Sequence, residues 1–411
     1  PPPFAGPPAP QEDAEEDALR FNWNSPILIS KHNPEVIYFG GTRLFKSFDR
    51  GDSWPVVSPD LTTKDAAKIE GNVPHCTITT VDESSLDPGL LLVGTDDGLV
   101  HVSEDGGYDW ENLTGQFPGV PAGLWVSRVV LSDHERGTAY VTFTGYREDD
   151  FRPFVYRTDA LGSGAAWERI DSGLPAHGPV NDVVEDASFA GVLYAATEFG
   201  VHASVDGGAH WTPLDAGLPR VAVHDLALQD RDGARVAATH GRGVYALDVR
   251  ALRAMTPETL AQDGHLYPVG DVTRWARRSV FQPADATWRG TNEASAPAFV
   301  VQRREAERRL EIWVTDTEGE RVLRAEVPAE AGVHRLEWGS GDDERSVGRR
   351  PSVGRYTARL VVLSSEAAEG AEDESEASEE EPLETLQAHS FRVRRDPLLS
   401  GATPAELAEE E

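Results

Sequence analysis

Three residues occupy equivalent places on a repeated strand and could together perform chemistry. Arg128, Asp182 and Asp225 could bring two carboxylates and a guanidinium around one opening, and Glu198 lies in a turn of the same repeat. A pair of carboxyl groups that face one cleft can act as general acid and base in glycoside hydrolysis. Asp182, Asp225 and Glu198 are therefore candidate catalytic residues. The alternative is that the two aspartates brace the inner strands and that the turn residue is merely solvated.

A second group of polar residues falls on turns between the second and third strands of the repeat. One of these turns, residues 144–153, is expanded and carries Tyr146, Arg147 and Phe151, so we expect it to form a ligand wall. Carboxylates can bind sugar hydroxyls, and aromatic rings, including Trp125, can stack on a sugar ring. The candidate ligand-binding residues are Arg43, Asp96, Asp97, Arg128, Tyr146, Arg147, His240 and Arg242.

The element that must position these residues is marked by an eight-residue pattern, Ser-x-Asp-x-Gly-x-x-Trp, which occurs three times. The Asp carboxylate can accept hydrogen bonds from backbone N–H groups of its own turn, the Gly adopts positive φ, and the Trp packs beneath the turn. We predict a structural role for Ser47, Asp49, Gly51 and Trp54, for Ser103, Asp105, Gly107 and Trp110, and for Ser204, Asp206, Gly208 and Trp211.

The same pattern argues against a metal site and gives no sign of a cofactor. One carboxylate per turn, on separate repeats, falls short of the several oxygen ligands that calcium needs. The histidines are scattered without the spacing of metal ligands. We therefore predict neither a bound metal nor a cofactor.

Each of these turns closes a hairpin, and the repeat of about 50 residues is in the range of β-propeller blades. Alternating apolar segments before and after each turn supply four antiparallel strands per blade. We predict an all-β fold in which residues 22–250 form five blades, the last one incomplete. Because an open ring leaves a sheet edge unpaired, we expect further N-terminal blades of the same protein, absent from this chain, to close it.

The remaining segments differ in composition from the blades. Residues 1–21 read as an acidic, Pro-rich linker, and 251–294 as a linker that packs on the propeller. Strand patterns resume in 295–396, which we predict to be an immunoglobulin-like β-sandwich with a disordered acidic insertion at 364–386. Residues 397–411 form a tail.

Charge and hydropathy exclude several functions. The chain of 411 residues has 70 acidic and 38 basic residues, a formal net charge of −32, and no basic stripe, which argues against nucleic-acid binding. No apolar run is long enough to span a bilayer. The one cysteine, Cys76, precludes an internal disulfide and is interpreted as a small buried residue.

The eight-residue turn resembles the Asp-box, or bacterial neuraminidase (BNR) repeat, which also occurs in sortilin-type (VPS10) propellers. Longer motifs resemble the large bacterial sortilin-like proteins described as "glycosyl hydrolase, BNR repeat". They include Leu44-Phe-Lys-Ser-Phe-Asp-Arg-Gly-Asp-Ser-Trp54, Gly94-Thr-Asp-Asp-Gly-Leu-Val100 and Ala238-Thr-His-Gly-Arg-Gly243. The resemblance implies tandem propellers with a C-terminal β-domain, of which this chain would be the C-terminal portion.

Two functions are consistent with these features. The first is an exported recognition or scaffold propeller, secreted, periplasmic or at the cell surface, that binds a peptide, protein or glycan at the face bearing Asp96, Glu198, His240 and Arg242. The second is a glycoside hydrolase, similar to sialidases or to xyloglucanases with tandem propellers. The sialidase hallmark Arg-Ile-Pro is absent from this chain. A third interpretation makes the segment purely architectural.

Overall fold

The computed structural model of the protein describes residues 19–71, 73–162, 164–214, 218–229, 234–274, 296–304, 308–339, 346–364 and 381–396. The chain divides into two compact units, Pro1–Val249 and Arg250–Glu411. In the described ranges, no helix is both long and apolar enough to cross a membrane. The predicted tail, most of the linker 1–21 and most of the insertion 364–386 lie outside the described residues.

The first unit contains five consecutive antiparallel sheets in the order of a β-propeller. Blade 1 has β1 (Ile27–Ile29), β2 (Ile37–Gly40) and β3 (Leu44–Ser47), and blade 2 has β4 (Ile78–Glu83), β5 (Leu91–Thr95), β6 (Val100–Ser103) and β7 (Glu111–Asn112). Blade 3 has β8 (Trp125–Leu131), β9 (Ala139–Gly145), β10 (Asp150–Thr158) and β11 (Glu168–Arg169). Blade 4 has β12 (Val180–Glu185), β13 (Leu193–Thr197), β14 (Gly200–Ser204) and β15 (Thr212–Pro213). Blade 5 has β16 (Val223–Gln229), β17 (Ala234–Thr239) and β18 (Val244–Asp248).

Apolar side chains between successive blades form the core of this unit. Leu44 of blade 1 lies in one buried cluster with Ile78 of blade 2, and Val155 of blade 3 lies in another with Val180 of blade 4. Both faces of an inner blade are therefore buried, which explains the near-continuous apolar second strands. Each buried Val or Leu contributes about 1.5–3 kcal/mol relative to an exposed one.

The first strands of blades 2 to 5 share a bulge that the sequence pattern did not reveal. The register shifts between Ile78 and Thr80, Val126 and Arg128, Val180 and Asp182, and Val223 and Asp225. The extra residue of the bulge reaches the next blade: Thr79 Oγ1 donates to the Val126 carbonyl (2.9 Å), and Ser127 Oγ to that of Val180 (2.8 Å). The bulge thus ties neighbouring blades and re-aims the residue that follows it.

In blades 2 and 4 the Ser-x-Asp-x-Gly-x-x-Trp turns connect the third and fourth strands, and in blade 1 the turn leads from the third strand to a single bridge between Phe45 and Val56. In the first, Asp49 Oδ1 accepts the Ser53 N–H (2.9 Å) and the Ser47 hydroxyl (2.8 Å). The Ser47 oxygen accepts the Gly51 N–H at 2.7 Å, and Gly51 has φ of 97°. Ser103, Asp105 and Gly107, like Ser204, Asp206 and Gly208, repeat these hydroxyl–carboxylate and hydroxyl–amide bonds. The serine therefore completes the turn.

The three tryptophans of these turns make different contacts with the rest of the first unit. Trp54 packs near the Phe39 ring, with centroids 5.8 Å apart. Trp110 Nε1 donates to the Gly107 carbonyl at 2.8 Å, within its own turn. Trp211 is buried and its Nε1 donates to the Ile170 carbonyl of the preceding blade at 2.6 Å. The ring thus holds its turn against the sheet.

The second unit contains two sheets that share one apolar core. One has β19 (His265–Leu266), β21 (Ala298–Arg303), β24 (Gly332–Trp338) and β25 (Ser346–Val347), and the other has β20 (Val272–Arg274), β22 (Arg309–Thr315), β23 (Arg321–Glu326), β26 (Gly354–Leu363) and β27 (Glu384–Arg395). The short helices are α1 (Ala66–Ile69) in the first unit, and α2 (Arg250–Arg253) and α3 (Pro257–Leu260) in the second. Phe299 of the first sheet and Phe391 of the second meet edge to face, 6.0 Å between centroids.

The segment 251–294, which we expected to be a linker, contributes to these sheets. His265–Leu266 pairs with β21, and Val272–Arg274 pairs in parallel with β27. These short stretches lack the length and alternation by which a strand is read from sequence. Their pairing instead depends on available sheet edges formed by later residues, 37 positions further along from His265 to Gln302 and 121 from Val272 to Val393.

Candidate functional site

The structure brings Arg128, Asp182 and Asp225 together. Arg128 Nε donates to Asp182 Oδ1 at 2.6 Å, and Arg128 Nη2 donates to Asp225 Oδ1. The guanidinium therefore lies between the two carboxylates, which come from the first strands of consecutive blades. The Asp182 side chain is fully buried, whereas that of Asp225 is 57% exposed.

Both carboxylate oxygens of Asp182 accept hydrogen bonds from other residues of the chain. Besides Arg128, it accepts the backbone N–H of Leu226 in blade 5, 2.8 Å from Oδ2. In blade 2 the equivalent residue, Thr80, accepts the Val129 N–H in the same way at 3.2 Å. Burial raises the pKa of the Asp182 carboxyl, and the Arg128 guanidinium opposes that rise. The repeated contact indicates that Asp182 ties inner strands together.

Arg128 is held in its charged form by this arrangement. Burial alone would lower its pKa, but the Asp182 and Asp225 carboxylates keep the pKa above its ordinary value. The cluster is thus an ion triad in which one carboxylate remains accessible from solvent. Asp225 is the member of the triad that a ligand can reach.

Glu198 lies on the turn between the second and third strands of blade 4. Its Oε1 accepts a hydrogen bond from Asn181 Nδ2 at 3.0 Å, and the same amide nitrogen is 3.0 Å from the Val223 carbonyl of blade 5. The carboxylate is partly buried, and the neighbouring Phe199 is 49% exposed. Asn181 therefore couples the orientation of Glu198 to the position of the next blade.

Asp96 and Asp97 differ from the expectation that they lie on an exposed hairpin tip, because both are buried. Asp96 accepts the Thr77 N–H (2.8 Å) and hydroxyl (2.6 Å) and the Asn22 amide (3.2 Å). Asp97 accepts the Thr63 N–H and hydroxyl, both at 2.7 Å. Threonines on the adjoining segments fold over this turn and satisfy the carboxylates, so these aspartates brace blade 2.

The expanded turn of blade 3 forms an exposed cluster of rings and one guanidinium. Arg147 stacks on Trp125, 4.1 Å from its ring centroid, and lies 5.2 Å from that of Tyr146. Tyr146 and Phe151 are both almost half exposed. A single turn of 3₁₀ helix, Tyr146–Glu148, presents these residues, and Asp149 closes it with φ of 57°. We call Trp125, Tyr146, Arg147 and Phe151 the hairpin cluster.

The turn of blade 5 carries the last predicted ligand-binding residues. The His240 ring packs against that of His224 with centroids 4.9 Å apart and ring planes tilted by 31°, and both residues are exposed. Arg242 is exposed on the same turn, and Arg43, on the turn of blade 1, is partly buried. We call the end of the first unit that bears these turns, together with those of Glu198 and the hairpin cluster, the hairpin face.

Sequence reasoning missed Asn181 and His224, the bulge residues of blades 4 and 5. A signal was available, because a polar residue follows a β-branched one at the same place of four repeats. The pairs are Ile78-Thr79, Val126-Ser127, Val180-Asn181 and Val223-His224. A regular strand alternates strictly between its two faces and includes no extra residue. The bulge in the structure is therefore what shows that these side chains point toward the next blade.

No protein-family model matches the sequence, and none of the curated proteins is similar to it. Among solved structures, the chain is similar to the GH74 xyloglucanase of Xanthomonas campestris, with 20% identity, a TM-score of 0.43, and coverage of 82% of this chain and 62% of that one. A GH74 enzyme of Niastella koreensis has 18% identity and a TM-score of 0.41, with 56% of this chain and 36% of that chain covered.

A β-propeller domain of another protein is similar to the same extent. The Cps50 (Swd1) β-propeller domain of Myceliophteria thermophila has 13% identity and a TM-score of 0.43, with 85% of this chain and 96% of that one covered. The chain spans 36% to 62% of the length of three of the GH74 enzymes that it matches. At these values the likeness says nothing about activity, and the propeller assignment rests on the sheets described above.

Proposed function

We propose that the first unit is a recognition propeller that binds a peptide, protein or glycan at the hairpin face. The observation that carries this proposal is the hairpin cluster, in which a guanidinium lies over the Trp125 ring, close to the Tyr146 ring, and remains exposed to solvent. Among the described residues no carboxylate forms an ion pair with Arg147. An aromatic surface with one unneutralised cation suits a ligand that offers a flat apolar group and an anionic or hydroxyl-rich one.

The neighbouring blades extend this surface with polar groups. Glu198 and Phe199 follow on blade 4, and His240 and Arg242 follow on blade 5. A binding surface of this type needs a rigid scaffold beneath mobile or exposed turns, and the buried sheets of blades 3 and 4 provide it. The proposal therefore places recognition across three consecutive blades.

A glycoside hydrolase is the second candidate function. One observation favours it: a buried carboxyl with a raised pKa, Asp182, lies one guanidinium away from an exposed carboxylate, Asp225. Hydrolysis requires both groups to reach the substrate. Because Arg128 and the Leu226 amide already occupy the Asp182 oxygens, the recognition proposal is better supported.

The proposal also includes the class and location of the protein. The repeated Ser-Asp-Gly turn geometry supports the sortilin-like BNR-repeat type, and the two sheets around one core support an immunoglobulin-like second unit. Export to the periplasm, the cell surface or the medium rests on the sequence resemblance alone.

The test is a peptide and glycan array probed with the 411-residue chain, followed by affinity measurements on the hits. We expect the double variant Tyr146→Ala, Arg147→Ser to weaken binding at least about tenfold, or 1.4 kcal/mol. The matched control is Tyr108→Ala, Arg136→Ser, which removes an exposed ring and an exposed guanidinium from blades 2 and 3, near the opposite end of the sheets. Equal affinity of the two double variants would disprove the recognition surface.

The hydrolase alternative is separated by product analysis. Each glycan hit is incubated with the chain and with the Asp225→Asn, Glu198→Gln variant. Cleavage that this variant abolishes would replace the recognition proposal by the hydrolase. Binding without products, lost only in the hairpin-cluster variant, would exclude hydrolysis of those glycans.

A further inference from the structure

One row of residues runs across every blade on the side that faces the next blade. In the third strand the row contains Leu44, Val100, Val155, Val201 and Val244, each opposite a second-strand residue in the same register. The first three are 0% exposed and Val201 is 3% exposed, but Val244 is 69% exposed. The following blade covers the first four of these residues. No blade among the described residues of the first unit lies against Val244.

The opposite side of blade 1 shows the complementary exposure. Ile27 occupies the first-strand position held by Val129, Val183 and Leu226 in blades 3, 4 and 5. Those three are at most 5% exposed, whereas Ile27 is 66% exposed and Ile29, two residues on, is 58% exposed. Blade 1 therefore displays the apolar face that elsewhere receives the preceding blade.

Polar groups of blade 5 are also placed for a following blade. Asp225 lies at the position of Asp182, whose carboxylate accepts the N–H of the next first strand. His224 lies at the position of Asn181, whose amide donates to the next first-strand carbonyl. Both are exposed in blade 5. The open side of blade 5 thus carries both the polar and the apolar groups that form the interfaces between the other blades.

We infer that the open side of blade 5 is a docking surface for blade 1 of a second copy of this chain. That blade presents the exposed side chains of Ile27 and Ile29, would cover Val244, and would donate a backbone N–H to Asp225. The inference is independent of which ligand the hairpin face binds. It also gives Asp225 a structural role in the assembled propeller, equivalent to that of Asp182.

Continuity with the existing interfaces selects this occupant over an unrelated partner. The register of blade 5 matches that of blades 2 to 4, including the bulge, so the spacing of its open groups is already that of a blade interface. An arbitrary helix or peptide would bury the His224 ring or the Asp225 oxygen that Arg128 does not occupy without a hydrogen-bond partner, which is unfavourable.

The apolar first-strand face that the open side of blade 5 requires is present on blade 1 of a second copy, so the chain can be tested for association with itself. We expect sedimentation velocity to show that the chain associates head to tail from low to high micromolar concentration. Val244→Asp and Ile27→Asp should each abolish association, because either one buries a charge in the apolar contact. An equal mixture of these two variants should form a one-to-one dimer and nothing larger, since only one intact pair of faces remains.

The control is Leu86→Asp, which adds a charge at an exposed apolar residue on the turn between the first and second strands of blade 2. It should associate as the wild type does. All three positions are exposed, so circular dichroism and thermal unfolding should show folded variants with the unfolding midpoint of the wild type. A chain that stays monomeric, or an association that survives Val244→Asp, would overturn the inference.

Discussion

Blades 4 and 5 have the same strand order, the same bulge and the same cross-strand register, yet their equivalent residues have different environments. Asp182 is buried and bonded on both oxygens, and Asp225 is 57% exposed. Val201 is buried and Val244 is exposed. Blade 5 lies against blade 4, whereas among the described residues of the first unit no sheet lies against the open side of blade 5, and blade 5 has three strands where blade 4 has four.

This difference teaches that a repeat position does not have a fixed role. A carboxylate at the same place is an interior tie in one blade and an accessible acid in the next. The chemistry that a sequence repeat suggests is therefore decided by the neighbours that each copy acquires. Three tests by substitution bear on this comparison, in order of decreasing effect.

The largest effect is expected for Asp182→Ala. Removing this carboxylate leaves the buried Arg128 charge with one partner and the Leu226 N–H with none, which should lower the free energy of unfolding by about 3–5 kcal/mol. Asp225→Ala, at the equivalent exposed position, should cost about 1 kcal/mol or less. Urea unfolding of the three proteins measures the difference. Equal losses would mean that burial does not separate the two aspartates.

An intermediate effect is expected for the apolar row. Val155→Ala removes two methyl groups from the buried contact between blades 3 and 4 and should cost about 2 kcal/mol. Val244→Ala should change the stability by about 0.5 kcal/mol or less, because the side chain is already exposed. Thermal and urea unfolding at low protein concentration compare the pair. A loss of similar size for Val244→Ala would show that blade 5 is covered.

The smallest effect concerns the turn between the third and fourth strands of blade 4. Blade 5, as the structure describes it, ends after its third strand and has no such turn. Asp206 accepts the His210 N–H at 2.9 Å and the Ser204 hydroxyl at 2.7 Å, so Asp206→Ala should cost about 1 kcal/mol at neutral pH. Although burial opposes it, hydrogen bonding from His210 and Ser204 holds the pKa of Asp206 below its ordinary value of 3.8.

The sign of the pH dependence follows from that lowered pKa. The ionised carboxylate stabilises the folded state above pH 3.8, and this contribution is lost as the pH falls through the folded-state pKa. The stability difference between wild type and Asp206→Ala should thus shrink below about pH 4. A difference that stays constant from pH 6 to pH 3, in urea unfolding at each pH, would contradict this role of the carboxylate.

Much of the first unit could be predicted from the sequence because its information is local. The Ser-x-Asp-x-Gly-x-x-Trp spacing prescribes its own turn, since every bond that Asp49 and Ser47 accept comes from within seven residues. Strand alternation and turn spacing then gave the blade order. The bulges and the two short strands in 251–294 escaped, because neither has a periodic signal and both depend on a distant sheet edge.

The candidate site shows the same limit. Repeat alignment placed Arg128, Asp182 and Asp225 at equivalent positions, and the structure joins them through one guanidinium. Alignment could not show that Asp96 and Asp97 are enclosed by Thr63 and Thr77, because those threonines lie 19 to 34 residues earlier in the chain. The exposure of the hairpin cluster depended likewise on the folded turn.

The sequence by itself determined the turns and the strand pattern, because these depend on bonds within short stretches of chain. Only the tertiary structure decided which equivalent side chains are buried ties and which are accessible. Burial requires a second sheet against the first, and the bonds that satisfy Asp182 come from blades about 50 residues away in either direction. No local pattern encodes that neighbour.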